Sequence, residues 1–121
     1  MFWASVYGHE SVVRLLLKNG ATIDSADSKG VTPLFASCSE GHESTARLLM
    51  KKGASVNHAD SEGFTPLLMA CENDHVSIVR LLLGKGATVD LATNKGCTPL
   101  FMAKMKGHES IVRLIEQFLL Q

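Results

Sequence analysis

Apolar and polar positions in this chain fall into a block that returns at a fixed interval. Gly63-Phe64-Thr65-Pro66-Leu67-Leu68-Met69-Ala70-Cys71 has a counterpart 33 residues earlier, Gly30-Val31-Thr32-Pro33-Leu34-Phe35-Ala36-Ser37-Cys38. A second counterpart lies 33 residues later, Gly96-Cys97-Thr98-Pro99-Leu100-Phe101-Met102-Ala103-Lys104. A period in this range predicts a stack of small supersecondary units rather than one globule. No unit can bury its own apolar face, so neighbours bury it for one another.

Within one period the local chemistry predicts two helices. Thr32-Pro33 starts the first: threonine caps well, and proline fits the first helical position, where a missing N–H costs nothing. Gly41 ends it by taking a left-handed conformation. The second runs from Glu43 to Lys52 and is closed by Gly53, with Lys51 and Lys52 near the negative end of its dipole. Thr45, Ala46, Leu48, Leu49 and Met50 give it an apolar side with helical spacing. Asp60-Ser61-Glu62-Gly63 suits a tight turn between units, aspartate leading and glycine fourth. The expected organisation is four units, 1–24, 25–57, 58–90 and 91–121, with no strand long enough for a sheet.

These residues carry a resemblance. Asp27 to Leu34, then Gly41-His42, Arg47 to Met50 and Gly53-Ala54, together with Thr-Pro-Leu at 32–34, 65–67 and 98–100, resemble the ankyrin repeat over nearly the whole chain. The resemblance implies an all-α ankyrin-repeat solenoid of stacked helix-turn-helix units with projecting turns. It implies a non-catalytic protein–protein interaction module. The chain departs from the family signature where Phe35, Leu68 and Phe101 replace its histidine, exchanging a hydrogen-bonding group for apolar contact.

The two ends differ from the interior. The first unit lacks its turn and its Thr-Pro start. Met1, Phe2, Trp3 and Val6 make an apolar opening where a terminal repeat needs a polar face. This suggests either an array cut internally or an end that self-associates; Trp3 suits either an anchor or the core, and core or a staple against the second unit is the expectation. In the last unit Lys104 stands in the phase of Cys71 and Glu116 in the phase of Leu83, charges suited to a cap.

Composition narrows the function classes. Lys plus Arg and Asp plus Glu number 12 each, and the signs alternate, so no field draws nucleic acid or acidic lipid. The longest apolar runs are far short of the ~20 residues a membrane span needs. No secretory signal opens the chain. Three cysteines without CxxC spacing argue against a disulfide framework or zinc site. Cys38 and Cys71 lie in one phase of neighbouring units, and helices stacked ~8–10 Å apart exceed the ~7 Å a disulfide allows. An intracellular protein is expected, cytoplasmic with the nucleus also suitable.

The chemical candidates are sparse. His9, His42, His75 and His108 recur every 33 residues, but stacking at ~10 Å spaces them too widely to share one metal; they are expected to shape inter-helix loops, while His58 lies in an exposed turn. Glu10, Glu43 and Glu109 precede Arg14, Arg47 and Arg113 by four residues, a solvated helix pairing worth a few tenths of a kcal/mol. Val76 breaks that pattern before Arg80. No nucleophile elbow or phosphate loop appears, so neither an enzyme, a cofactor nor a metal is expected. Gly53 to Asn57 matches the ankyrin segment whose asparagine is an asparaginyl hydroxylase substrate, so the resemblance makes Asn57 a candidate hydroxylation site.

The phases that vary between units mark the contact surface, since the frame repeats and these do not. The resemblance implies that this is the concave face and turn tips. At the tips these are Lys29, Val31, Glu62, Phe64 and Lys95; along the first helices they are Tyr7, Glu40, Glu72, Asn73 and Met105. Tyr7 and Phe64 are the expected anchors, because aromatics dominate interface energy. The expected partner is another protein, with weak self-association through the repeat ends as the alternative.

Overall fold

The computed structural model describes residues 1–121 and is all helical. Eight α-helices come in four pairs: α1 (Phe2–Val6) with α2 (Glu10–Lys18), α3 (Pro33–Glu40) with α4 (Glu43–Lys51), α5 (Pro66–Glu72) with α6 (Val76–Gly84), and α7 (Pro99–Lys106) with α8 (Glu109–Leu119). The first helices of each pair lie side by side in one row and the second helices in another. The first row is the more closely packed, so the stack curves with the first helices on its inner side. No helix is long and apolar enough to cross a membrane.

Local chemistry starts and stops these helices as expected. Thr32, Thr65 and Thr98 sit in extended backbone, and each hydroxyl accepts from the N–H three residues on at 3.2 Å. Such a cap contributes about 1 kcal/mol. Proline follows each cap at the head of its helix. Gly41, at φ 80°, ends α3 in the left-handed region. α4 stops at Lys51, one residue short of the expected end, with Lys52 as its C-cap.

The core runs through the stack as columns contributed one residue per pair. Leu34 and Leu67 form one, Cys38 and Cys71 another, Leu49, Leu82 and Ile115 a third, all fully or almost fully buried. Thr45, Ala46, Leu48, Leu49 and Met50 are buried together, as their spacing predicts. Phe35 and Leu68, in the place of the signature histidine, are also buried; Phe101, in the same phase of the last pair, is 51% exposed because no helix lies beyond it in this chain.

Trp3 corrects an expectation. It is 66% exposed rather than packed against the second pair, and it stacks on Tyr7 with ring centroids 6.0 Å apart. In later pairs the phase of Trp3 holds Ala36 and Met102, both buried, and Met69, half-buried. No helix pair packs before α1 in this chain, and the indole stays exposed at this end of the stack. At the other end Lys104 and Glu116 approach each other to 3.8 Å, half-exposed, where the interior pairs bury Cys71 and Leu83.

Candidate partner-binding surface

The turns between pairs are built on one side chain each. Asp27 Oδ1 accepts from the N–H groups of Lys29 and Val31, and Asp60 Oδ1 from those of Glu62 and Phe64, all at 2.9 Å. In the last turn Thr93 Oγ1 takes this role toward Lys95 and Cys97. The turns are also tied to each other: Ser61 N–H donates to Lys29 O at 2.9 Å, and Asn94 N–H to Glu62 O at 3.0 Å. A Cβ at Gly63 would come within 2.7 Å of the Asn94 nitrogen, so this approach needs a glycine. Lys29, Glu62 and Lys95 therefore project from a braced base.

The ten expected contact residues fall into three groups. Tyr7, Lys29, Glu40, Glu62, Lys95 and Met105 are exposed and hold no ion pair. Val31 and Phe64 are half-buried. Glu72 and Asn73 already have partners inside the chain. Lys106 Nζ lies 3.9 Å from Glu72, and Asn73 Nδ2 donates to Ser39 O at 3.0 Å. The surface is mixed in charge and has an aromatic end, since exposed Trp3 joins Tyr7 there. Of the two roles that the sequence left to Trp3, anchor and core, its exposure agrees with the anchor.

The loop histidines do more than shape their own loops. Nε2 of His42 lies 2.8 Å from Val6 O, that of His75 3.0 Å from Ser39 O, and that of His108 2.9 Å from Glu72 O. A carbonyl can only accept, so each Nε2 carries a hydrogen and donates it. Each bond pins a second helix to the end of the first helix in the pair before. His9 has no preceding pair and is exposed. The three committed nitrogens are not available to a metal.

Asn57 is exposed, and its side chain bridges to the next pair. Oδ1 accepts from Thr88 N–H at 2.9 Å while Nδ2 donates to Thr88 Oγ1 at 3.0 Å. Asp24, in the same phase, accepts from Ser55 N–H and Oγ–H. The buried thiols are far from nucleophilic: burial pushes Cys38 up to about 12, slightly offset by the Ser37 hydroxyl, and burial pushes Cys71 up to about 12.

The family model described as ankyrin repeats (3 copies) matches residues 1–60 and 56–118. The chain belongs to the ankyrin-repeat family. No curated protein matches it. Ankyrin repeats are in general protein–protein interaction modules and typically non-catalytic, which agrees with a surface of exposed, mixed-charge side chains on a braced frame. Its departures from the Thr-Pro-Leu-His signature fall on Phe35, Leu68 and Phe101, and the first two are absorbed into the core.

Proposed function

We propose that this ankyrin array binds a partner protein along its inner side, through the turn tips and the exposed face of the first helices. The observation that carries this reading is the pairing of rigidity with variation. The tips are linked by backbone bonds from Ser61 to Lys29 and from Asn94 to Glu62, while the side chains they present change from lysine to glutamate to lysine. A braced frame loses little ordering entropy on binding. Tyr7, flanked by Trp3, is the anchor at one end, and Phe64 the anchor at the middle tip; Lys29, Glu62 and Lys95 orient the partner more than they add affinity. The free thiols suit a cytoplasmic or nuclear setting. Asn57, exposed at a pair junction, is the residue we propose for hydroxylation, read as a mass gain of one oxygen on its peptide.

The test is a pull-down with the whole array, followed by titration of the captured protein. Tyr7→Ala and Phe64→Ala each weaken the complex about tenfold, a typical anchor effect, with unfolding still cooperative. Unchanged affinity in both variants rejects this surface.

A second reading is self-association through the repeat ends. It is supported by Val12 and Leu15, 46% and 59% exposed, in phases where Thr45 and Leu48 are buried. Sedimentation across a concentration series tests it, a monomer throughout rejecting it.

A further inference from the structure

On the second-helix row, three of the four arginines are held by a glutamate four residues earlier: Arg14 by Glu10 at 3.0 Å, Arg47 by Glu43 at 2.7 Å and Arg113 by Glu109 at 3.6 Å. Arg80 on α6 is the exception. Val76 occupies the place of its glutamate, and Arg80 forms no salt bridge with any other carboxylate. One turn further on, Gly84 stands where the other pairs carry Lys18, Lys51 and Gln117. A Cβ at Gly84 would meet nothing within 4 Å and its backbone is helical, so nothing in the fold requires a glycine there.

The two departures fall on one groove. Between α6 and α8 opens a space of about 330 Å³, lined by Leu83, Leu114 and Phe118 together with Arg80, Gly84 and two glutamines. It continues into a second space of about 240 Å³ that Arg80 shares with Arg113 and Leu114. No acidic side chain lines either part. The corresponding groove between α2 and α4 is lined by Glu10 beside Arg14, Arg47 and Lys51, and there both arginines are already neutralised. One groove of the stack thus joins three apolar side chains to a guanidinium without a carboxylate partner, with no side chain at position 84.

We propose that the α6–α8 groove binds a short acidic segment of a partner protein that carries a bulky apolar residue. A carboxylate takes paired N–H bonds from the always-charged Arg80. Arg113, long-bonded to an exposed Glu109, is a second donor. The apolar residue lies on Leu83, Leu114 and Phe118 beside Gly84. Charge complementarity selects this occupant, since an apolar helix alone would leave Arg80 unpaired and a basic segment would be repelled. The groove is on the second-helix row, so the proposal stands independently of binding along the inner side.

The probe is a fluorescein-labelled peptide with a leucine–phenylalanine pair flanked by glutamates, titrated with the whole chain by anisotropy. Saturable binding is expected. Val76→Glu, which restores the internal pair, is expected to weaken it about tenfold, in the range of one charge-assisted hydrogen bond. Gly84→Gln, which refills the groove with a better helix former, also weakens it; Tyr7→Ala leaves it unchanged. Both groove variants are expected to keep cooperative unfolding, which circular dichroism verifies. The proposal is overturned if no saturable binding occurs, if the peptide with glutamines in place of glutamates binds equally, if Val76→Glu and Gly84→Gln leave the affinity alone, or if inorganic phosphate displaces the peptide at low millimolar concentration.

Discussion

Oδ2 of Asp74 lies 3.7 Å from Nδ1 of His108, across the joint between the third and fourth helix pairs. Asp74 is the only non-glycine residue with a positive φ, 62°, and it stands in the phase of Gly8, Gly41 and Gly107. At the two earlier joints the ring of the next histidine lies so close over the glycine that an added Cβ would come within 2.6 Å of it. At the third joint a Cβ is present, yet His108 still reaches Glu72 O at 2.9 Å. The joint therefore tolerates a side chain there and gains a carboxylate beside the imidazole.

Replacing Asp74 separates the backbone effect from the side-chain effect. Alanine in the left-handed region costs about 1–2 kcal/mol, whereas aspartate is among the residues that tolerate it. Asp74→Ala is expected to lose about 1 kcal/mol in urea unfolding. Asp74→Gly relieves strain but adds unfolded-state entropy and gives up the 3.7 Å contact with His108, so it stays within about 0.5 kcal/mol of the parent. Equal stability of the alanine and glycine variants would show that the backbone carries no strain here.

The histidine bonds join pairs, so their loss is expected to reduce coupling along the stack as well as total stability. His75→Ala removes one inter-pair hydrogen bond to a carbonyl, a loss of about 1 kcal/mol. A broader urea transition accompanies it, because stability in a repeat array is a sum of unit and interface contributions. His9→Ala, at an exposed histidine with no such bond, is the control and leaves the midpoint in place. Equal effects at the two positions would reduce His75 to a loop residue.

The period, the Thr-Pro helix starts and the closing glycines were legible because each rests on chemistry within a few residues. The histidine bond was not, because it reaches 36 residues back, one period and three more, from His42 to Val6. Its signal was present in the recurrence of histidine itself. Trp3, open in the sequence to anchor or core, was expected in the core because its phase does not show which side chains pack around it at the first pair; it is exposed there. Among the expected contact residues, exposure of Tyr7 and the tip charges followed from variation between units. The internal bonds of Asn73 and Glu72 depended on which neighbour each side chain met. Val76 stood out as a break in the glutamate pattern, but its meaning required α6 and α8 to be side by side.

The two buried thiols give the protein an alkaline limit. Folded-state values of about 12 lie above the unfolded reference of 9.0, so the folded chain holds these protons more tightly. Their contribution is fully present below pH ~9 and is lost as pH rises toward ~12. Cys38→Ala/Cys71→Ala is expected to flatten the decline in midpoint between pH 8.5 and 10.5 relative to the parent. In the native protein at pH 8, a thiol reagent modifies Cys97, half-buried in its turn, well before the other two. Fast modification of all three without unfolding would contradict the burial of Cys38 and Cys71.

Gly84 offers the last test, because stability and groove shape oppose each other there. A glycine in a helix is less favourable than alanine by about 1 kcal/mol in the interior and by less at the final residue, which Gly84 is. With nothing within 4 Å of its Cβ, no clash offsets that gain. Gly84→Ala is therefore expected to raise stability by about 0.5 kcal/mol in urea titration. On the proposed reading, a glycine that lowers stability without easing any contact acts through what its absence of side chain leaves open, here the groove between α6 and α8 that it lines. If Gly84→Ala destabilises the chain instead, the glycine serves the end of α6 and its place beside Arg80 is incidental.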